Sequence, residues 1–401
     1  MGVKTSRYKR EIIKELCFEN VVSANEISIL IGKSLPLTMR MLNELVVEGI
    51  VKESGYALST GGRRPLMYSL VSGKMFVISV AMDQLVTRIG LIDVQDFKIR
   101  EVKKYDMNLY NQSNEVSKLI YNLTSFIKEI PIDKDRIVGI GIGMPGFVDA
   151  AKGINYSFLN NGDTSISAAI EAAVGLPVYV DNDSSLIALA EFKLGALRNK
   201  KNALVINFGW GVGLGMIVNG ELFRGNNGFA GEFSHIHLFE NNKLCGCGKS
   251  GCLETEASMM VVLEMAKEAV KQGRVSLIKH IPDDLEEAFS TIVDAVLKGD
   301  QLAVEVLSAS AYNIGWGIAI LIHILNPELV VISGRGAACG KVLLAPMQQA
   351  VNKYCIPKLA NYSQLTVSSF SNGAELIGAA ALVVENYDNI QIKDCLKINA
   401  A

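Results

Sequence analysis

Apolar residues in the first fifty positions of this 401-residue chain recur three and four apart, and beyond position 75 they gather into short runs. Ile12, Ile13 and Leu16 predict a helix over residues 7–20. Ser23, with Glu26 three positions on, reads as a capping box that opens a second helix through Ile27, Leu30 and Ile31. Gly32-Lys33-Ser34 breaks that pattern. A third helix is expected from Leu35, with Pro36 in its first turn, Leu42, Leu45 and Val46 as its buried stripe and Gly49 as its stop. Ile50-Val51-Lys52 and Tyr56-Ala57-Leu58 are expected to pair as a small hairpin, followed by Gly61-Gly62-Arg63-Arg64-Pro65.

After Met75 the apolar runs have strand length. Met75–Ala81, Arg88–Asp93, Ile137–Met144, Leu204–Phe208, Leu214–Val218 and Leu329–Ser333 predict strands, with helical stretches between them. A strand-strand-helix theme begins twice, which points to an α/β architecture of two related lobes. Small-molecule sites in such folds lie outside the carboxyl ends of the strands.

Helix, tight turn, helix and hairpin over residues 1–70 form a winged helix-turn-helix pattern. Ser34, Thr38, Arg40 and Asn43 fall outside the apolar stripe of the third helix, and their types suit phosphate and base-edge contacts. Arg63 and Arg64, beside glycines, suit insertion into a minor groove. Charge adds to this picture. The chain carries a net −2, too small to imply a nucleic-acid or membrane partner for the whole, yet its first ten residues hold Lys4, Arg7, Lys9 and Arg10 and no acid. The charged start lacks an apolar leader, and the most apolar later stretch, Trp316–Leu325, is shorter than a membrane span. A cytoplasmic protein with no membrane partner is expected.

Three of the seven cysteines crowd into Cys245-Gly-Cys247-Gly-Lys-Ser-Gly-Cys252, and His235 precedes them by ten residues. Three thiols and an imidazole make a closed, structural set of metal ligands, for which zinc is expected, one ion per chain. His237, two residues away, competes with His235 for the fourth position.

Gly231-Glu-Phe-Ser-His235 with Cys245-Gly-Cys-Gly-Lys-Ser-Gly-Cys-Leu-Glu254 resembles the signature of the ROK family, whose members are repressors, open reading frames and sugar kinases. Val138–Asp149, Val180–Asp183, Asn207–Gly215 and Leu325–Gly334 extend the resemblance over nearly the whole chain. It implies a two-lobed, actin-like ATPase (ribonuclease H-like) domain with a sugar in the cleft. Lobe 1 would cover 71–181 with a C-terminal helix at about 375–401, and lobe 2 would cover 182–374. The family's zinc histidine falls on His235, and its sugar contacts fall on Asn182, Asp183, Glu232, His235 and Glu254. Asp183 stands where the kinases have their catalytic base.

Two positions depart from the family pattern. The Asp-x-Gly-Gly-Thr phosphate loop of the kinases is replaced by Ala81-Met-Asp-Gln-Leu85, and Ser234 stands where glycine is usual. The expected protein is therefore a repressor, a homodimer or homotetramer with operator DNA and a sugar or sugar phosphate as partners, and not an enzyme. An ATP-dependent sugar kinase is the alternative, supported by Asp183 and by the surviving Gly209-x-Gly-x-Gly-x-Gly215 run.

Overall fold

A computed structural model describes residues 2–58, 64–109, 114–159 and 164–387. Helix α1 (Gly2–Glu19) buries Ile12, Ile13 and Leu16. It starts earlier than the apolar spacing indicates, because its polar first turn carries no periodic signal. Strand β1 (Val22–Ser23) leads into α2 (Ala24–Leu30). The capping box forms as expected: Glu26 N donates to Ser23 Oγ at 3.3 Å, and Ser23 N donates to Glu26 Oε2 at 2.9 Å.

Helix α3 (Leu35–Val47) buries Leu42 and Leu45 of the expected stripe, but its inward face is centred toward Thr38 and Met41 and away from Val46. Met41, Leu42 and Leu45 are buried, Val46 is only partly so, and Thr38 is 0% exposed. Positions 38, 41, 42 and 45 share one face at helical spacing. The Thr38 hydroxyl donates to its own helix at Ser34 O, 3.2 Å away. Thr38 is thus a core residue, and its assignment as a DNA contact is withdrawn.

The hairpin is also redrawn. Strand β2 (Val51–Tyr56) pairs antiparallel with β3 (Leu66–Leu70), Val51 opposite Leu70 and Tyr56 opposite Leu66. Gly55, at φ 85°, accompanies a register shift inside β2 and does not end it. The second strand therefore follows the Gly-Arg-Arg-Pro stretch, which belongs to the connection between the strands. Ala57 N donates to Pro65 O at 3.1 Å across its base. Arg64 is exposed there, and Arg63 lies outside the described residues.

Contacts divide the chain into two compact units, Met1–Asp183 with Leu376–Ala401, and Ser184–Glu375. The first contains β4 (Phe76–Met82), β5 (Val86–Asp93), β6 (Lys98–Asp106), α4 (Glu115–Glu129), β7 (Ile137–Met144), the short β8 (Val148–Asp149) and β9 (Ile154–Asn155), α5 (Ile166–Val174) and β10 (Val178–Asn182). Its sheet runs β10-β7-β4-β5-β6, with β10, β7 and β4 parallel. Edge strand β6, Lys-Ile-Arg-Glu-Val-Lys-Lys-Tyr-Asp, was missed because its charges mask the alternation; charged edges discourage further pairing.

The amino-terminal helices pack onto this sheet's unit. Phe18 stacks on Phe97, centroids 5.9 Å apart, and Lys14 Nζ donates to Glu385 O at 2.7 Å. Asp93, 1% exposed at the end of β5, accepts from Ser72 Oγ, Gly73 N and Arg100 Nη2, each at 2.9 Å. One buried carboxylate thereby ties down the connection between the hairpin and the sheet.

The second unit holds most of α6 (Asp183–Leu194), then β11 (Ala203–Phe208), β12 (Val212–Val218), β13 (Glu221–Leu222), α7 (Glu254–Ala257), α8 (Met259–Lys271), α9 (Leu285–Leu297), α10 (Gln301–Leu325), β14 (Leu329–Ser333), α11 (Leu344–Tyr354), α12 (Pro357–Ala360) and β15 (Gln364–Val367). Its sheet runs β13-β12-β11-β14-β15, with β11, β14 and β15 parallel. In each five-stranded sheet the first strand, β4 or β11, has its antiparallel neighbour on one side and a later parallel strand on the other. The duplicated theme of the sequence is therefore a duplicated topology. Helix α10 is long and apolar enough to cross a membrane by length and composition, exceeding the Trp316–Leu325 run, and it buries Leu302, Leu307, Ile314 and Ile318 in this unit's core.

The chain ends its described course in α13 (Ala374–Glu385), and the part of the expected C-terminal helix beyond 387 lies outside the described residues. A Cβ on Gly141 would stand 2.0 Å from Ala379 O, and one on Gly139 would stand 2.9 Å from Val383 Cγ1. The alternating glycines of β7 are what let α13 lie this close.

Candidate metal centre and the residues around it

His235 closes a single 3-10 turn (Phe233–His235) after Gly231, whose φ of 106° and approach to Leu214 O leave no room for a side chain. Cys245 to Cys252 then fold into a knuckle. Cys245 N donates to Lys249 O at 2.7 Å and Gly248 N to Cys245 O at 2.9 Å. Gly248 and Gly251 take φ of 84° and 72°. A Cβ on Gly251 would stand 2.1 Å from Phe239 O, so the turn requires glycine there.

The ligand atoms of His235, Cys245, Cys247 and Cys252 all lie within 4.8 Å of one another. Cys245 Sγ is 3.4 Å from His235 Nδ1, and Cys247 Sγ is 3.6 Å from Cys252 Sγ. Tetrahedral zinc with its usual bond lengths gives edges of about 3.5 Å for S···N and roughly 3.8 Å for S···S. The four groups fit one tetrahedral ion. His237 is not among them, because its Nδ1 is 2.8 Å from Ser250 O. Burial pushes the Cys245 thiol up and the Cys252 thiol up to about 12, while the Lys249 N–H brings Cys247 down. A metal must displace those protons, as thiolate ligation requires.

His235 Nδ1 faces the thiols, and its Nε2 lies 3.7 Å from Glu232 Oε2. Burial pushes the Glu232 carboxyl above its ordinary value; the Glu254 charge adds to this and His235 opposes it. Glu254 begins α7, and its Oε2 accepts from Val212 N at 3.4 Å. Glu232, His235 and Glu254 thus gather beside the turn between β11 and β12, with the cysteine thiols on the Nδ1 side of His235. Phe233 and Leu253 both press on Gly317 of α10, where a Cβ would meet them at 2.6 and 2.9 Å. Gly317 is a support the sequence reading missed, since a lone glycine in an apolar helix carries no signal of its own.

Asn182 and Asp183 sit at the carboxyl end of β10 and the start of α6, in the first unit. Asn182 Nδ2 donates to Gly146 O, 3.1 Å away in the segment following β7. At the end of β4, Asp83 Oδ1 accepts from both Leu85 N and Val86 N at 2.8 Å. The carboxylate of Ala81-Met-Asp-Gln-Leu85 so occupies backbone donors of its own turn and leaves a negative charge beside them.

Two glycines of the run have a packing explanation. A Cβ on Gly213 would stand 1.9 Å from Ser184 Oγ, and one on Gly215 would stand 2.4 Å from Ala188 Cβ. Helix α6 lies directly on β12. Trp210, inside the run, is covered by the Arg335 guanidinium at 4.2 Å, and Arg335 pairs with Glu286 at 2.7 Å. On α3, Ser34, Arg40 and Asn43 are exposed, with Glu44 3.9 Å from Arg40.

Residues 80–386 match the model of the ROK family. A xylose repressor of Caldicellulosiruptor bescii is 27% identical over 387 residues, covering 94% of each chain. A glucokinase of Halalkalibacterium halodurans is 36% identical over 266 residues, covering 64% of this chain and 79% of its own. The crystal structure of a transcriptional regulator of this group, a homologue of the Escherichia coli MLC protein, superposes with a TM-score of 0.75 at 24% identity over 95% of this chain and 97% of that one.

Proposed function

The chain belongs to the ROK family, and from that premise we propose that it is a sugar-responsive transcriptional repressor of carbohydrate metabolism acting in the cytoplasm. The observation that carries the reading is coverage. The repressor relative matches along 94% of the chain, too much to leave out a head of seventy residues, whereas the glucokinase relative matches 64%.

In this reading residues 1–70 bind operator DNA, with Ser34, Arg40 and Asn43 of α3 toward the major groove and Arg63 and Arg64 from the hairpin connection toward the minor groove. Lobe 1 takes residues 71–181 with the C-terminal helix, and lobe 2 takes 182–374. Asn182, Asp183, Glu232, His235 and Glu254 bind a sugar or sugar phosphate, their carboxylates and amide meeting its hydroxyls. The effector acts by preferring one arrangement of the protein over another. A homodimer or homotetramer places two heads on half-sites a helical turn, about 34 Å, or a multiple apart.

Zinc is the proposed metal, held by His235, Cys245, Cys247 and Cys252. Four protein ligands leave it a structural part: it cross-links the loop and fixes the His235 ring so that Nε2 is left for the sugar. Gel shifts of the full chain on DNA from upstream of its own gene, with and without a panel of sugars, test the proposal. A sugar-released shift is expected. No shift at any salt concentration, with Arg40→Ala and Arg64→Ala silent in a reporter strain, overturns it.

A kinase is the second reading, favoured by Asp183 and the glucokinase relative. Against it, the Asp83 carboxylate uses the donors a phosphate would need, and α6 accounts for Gly213 and Gly215. ADP release over hexoses and amino sugars decides; turnover abolished by Asp183→Asn would establish the kinase.

A further inference from the structure

Beside Asn182 the chain builds a small rigid hairpin with an aromatic outer face. Its inner pair, Val148 opposite Asn155, is 1% and 2% exposed. Buried Asn155 has both its polar atoms bonded: its Nδ2 donates to Pro145 O at 2.9 Å, and its Oδ1 accepts from Ser157 N at 2.9 Å and Phe158 N at 3.0 Å. Phe147 and Tyr156 extend the same ladder, Tyr156 N donating to Phe147 O at 2.8 Å. Alternation along the two strands puts both rings on the face opposite Val148 and Asn155. They are 42% and 51% exposed. Lys152 pairs with Asp149 at 2.9 Å across the turn of the same hairpin.

The position of this pair matters. Strands β4, β7 and β10 are parallel, and ligands of such sheets bind outside their carboxyl ends. Phe147 follows the carboxyl end of β7; Asn182, opposite Met144 in the register, ends β10 and bonds the carbonyl of Gly146 next to Phe147. A single exposed aromatic is ordinary surface. Two paired on one face of a hairpin, held by a buried asparagine with both polar atoms bonded and joined through Gly146 to a candidate sugar contact, are placed for a ligand. Polar groups alone satisfy the hydroxyls of a sugar and leave the C–H face of its ring in water; sites for small molecules pair a few polar groups with aromatic walls.

We propose that Phe147, backed by Tyr156, is a stacking platform for the C–H face of a pyranose ring held through Asn182 and Asp183. The platform rests on the regulatory reading above and adds a specificity element to it: it selects sugars by the flatness of one ring face, where Asn182 and Asp183 select by hydroxyl position. A ring contact of this kind is worth roughly five- to tenfold in affinity.

Calorimetric titration of the zinc-loaded full chain with a panel of pyranoses, followed by the same titrations on Phe147→Ala, Phe147→Trp and Tyr156→Ala, tests it. For the sugar that binds, Phe147→Ala is expected to weaken Kd by roughly five- to tenfold and Phe147→Trp to hold it within about twofold. Zinc content and sugar-free DNA affinity should not change, which separates lost stacking from lost folding. If the unaltered protein binds a pyranose and Phe147→Ala stays within twofold of it, the platform is wrong and the regulatory reading stands. If the unaltered protein binds none, both fall.

Discussion

Removing the Asp93 carboxylate should loosen the joint between the amino-terminal head and its sheet. The side chain is 2% exposed and accepts four hydrogen bonds, from Ser72 Oγ, Gly73 N and Arg100 Nη2 at 2.9 Å and from Gln95 N at 3.2 Å. Hydrogen bonds to a charged group contribute about 1.5–3 kcal/mol each, and orphaned buried donors cost about 1–3 kcal/mol. Two circumstances reduce the sum. Arg100 keeps Asp96 at 3.1 Å, and a cavity of about 330 Å³ lined by Ser72, Gly73, Asp93 and Arg100 lets water reach the freed donors. Asp93→Ala should therefore cost about 2–4 kcal/mol, and Asp93→Asn, which keeps an acceptor, about half that. In a unit of this size each kcal/mol lowers Tm by about 2–4 °C. Calorimetry should show the loss in one transition, and hydrogen exchange at residues 71–75 should rise in parallel. If Asp93→Ala melts within about 1 °C of the parent and exchange there is unchanged, the carboxylate is not what holds the joint.

Three further outcomes are expected. Thr38→Val should leave DNA affinity within about twofold, since its hydroxyl is buried against Ser34 O, whereas Arg40→Ala should weaken binding and lower the salt slope by about one, as read by fluorescence anisotropy. Gly213→Ala should destabilise the second unit by about 1–3 kcal/mol or more through overpacking against Ser184, while Gly220→Ala, where nothing lies within 4 Å, costs only the strain of its φ of 79°. Burial pushes the Asp300 carboxyl up, but the N–H groups of Leu277 and Ala303 and the Ser276 hydroxyl outweigh it and hold it below its ordinary 3.8. The stability it contributes is full above that ordinary value and disappears as pH falls through the depressed one. Acid titration of Tm should be shallower in Asp300→Asn; an unchanged profile refutes the assignment.

The regular parts of the fold were legible in the chain, and the cluster of His235 and three cysteines that could hold a metal most of all. Strands β7 and β14 have their bounds in the apolar runs themselves, and three thiols in eight residues have few uses other than a metal. What failed to show depended on three-dimensional company. The face of α3 that turns inward is set by its neighbours in the head, so a threonine that bonds its own helix was read as a DNA contact. The second strand of the wing hides behind a loop, and β6 behind its charges. His235 could be told from His237 only by the resemblance; in the folded chain the Ser250 carbonyl separates them. Phe147 and Gly317 could not be singled out at all, because an exposed phenylalanine and a helical glycine acquire meaning only from what stands beside them.

Likeness to a kinase and divergence from one are carried by different atoms of this chain. Gly139 and Gly141 let α13 approach β7, and Gly213 and Gly215 let α6 approach β12; a side chain at any of these positions meets a neighbour between 1.9 and 2.9 Å away. Their presence follows from packing and would persist whether or not a nucleotide ever bound. The turn after β4 is under no such demand. With Asp83 bonding Leu85 N and Val86 N, it closes the β4–β5 hairpin by itself, and a phosphate brought there would face a carboxylate where it needs bare donors. Replacing Asp83 by glycine would remove that charge but leave the Gln84 and Leu85 side chains in the turn. The glycines at 139, 141, 213 and 215 therefore report the fold and carry no argument for a nucleotide.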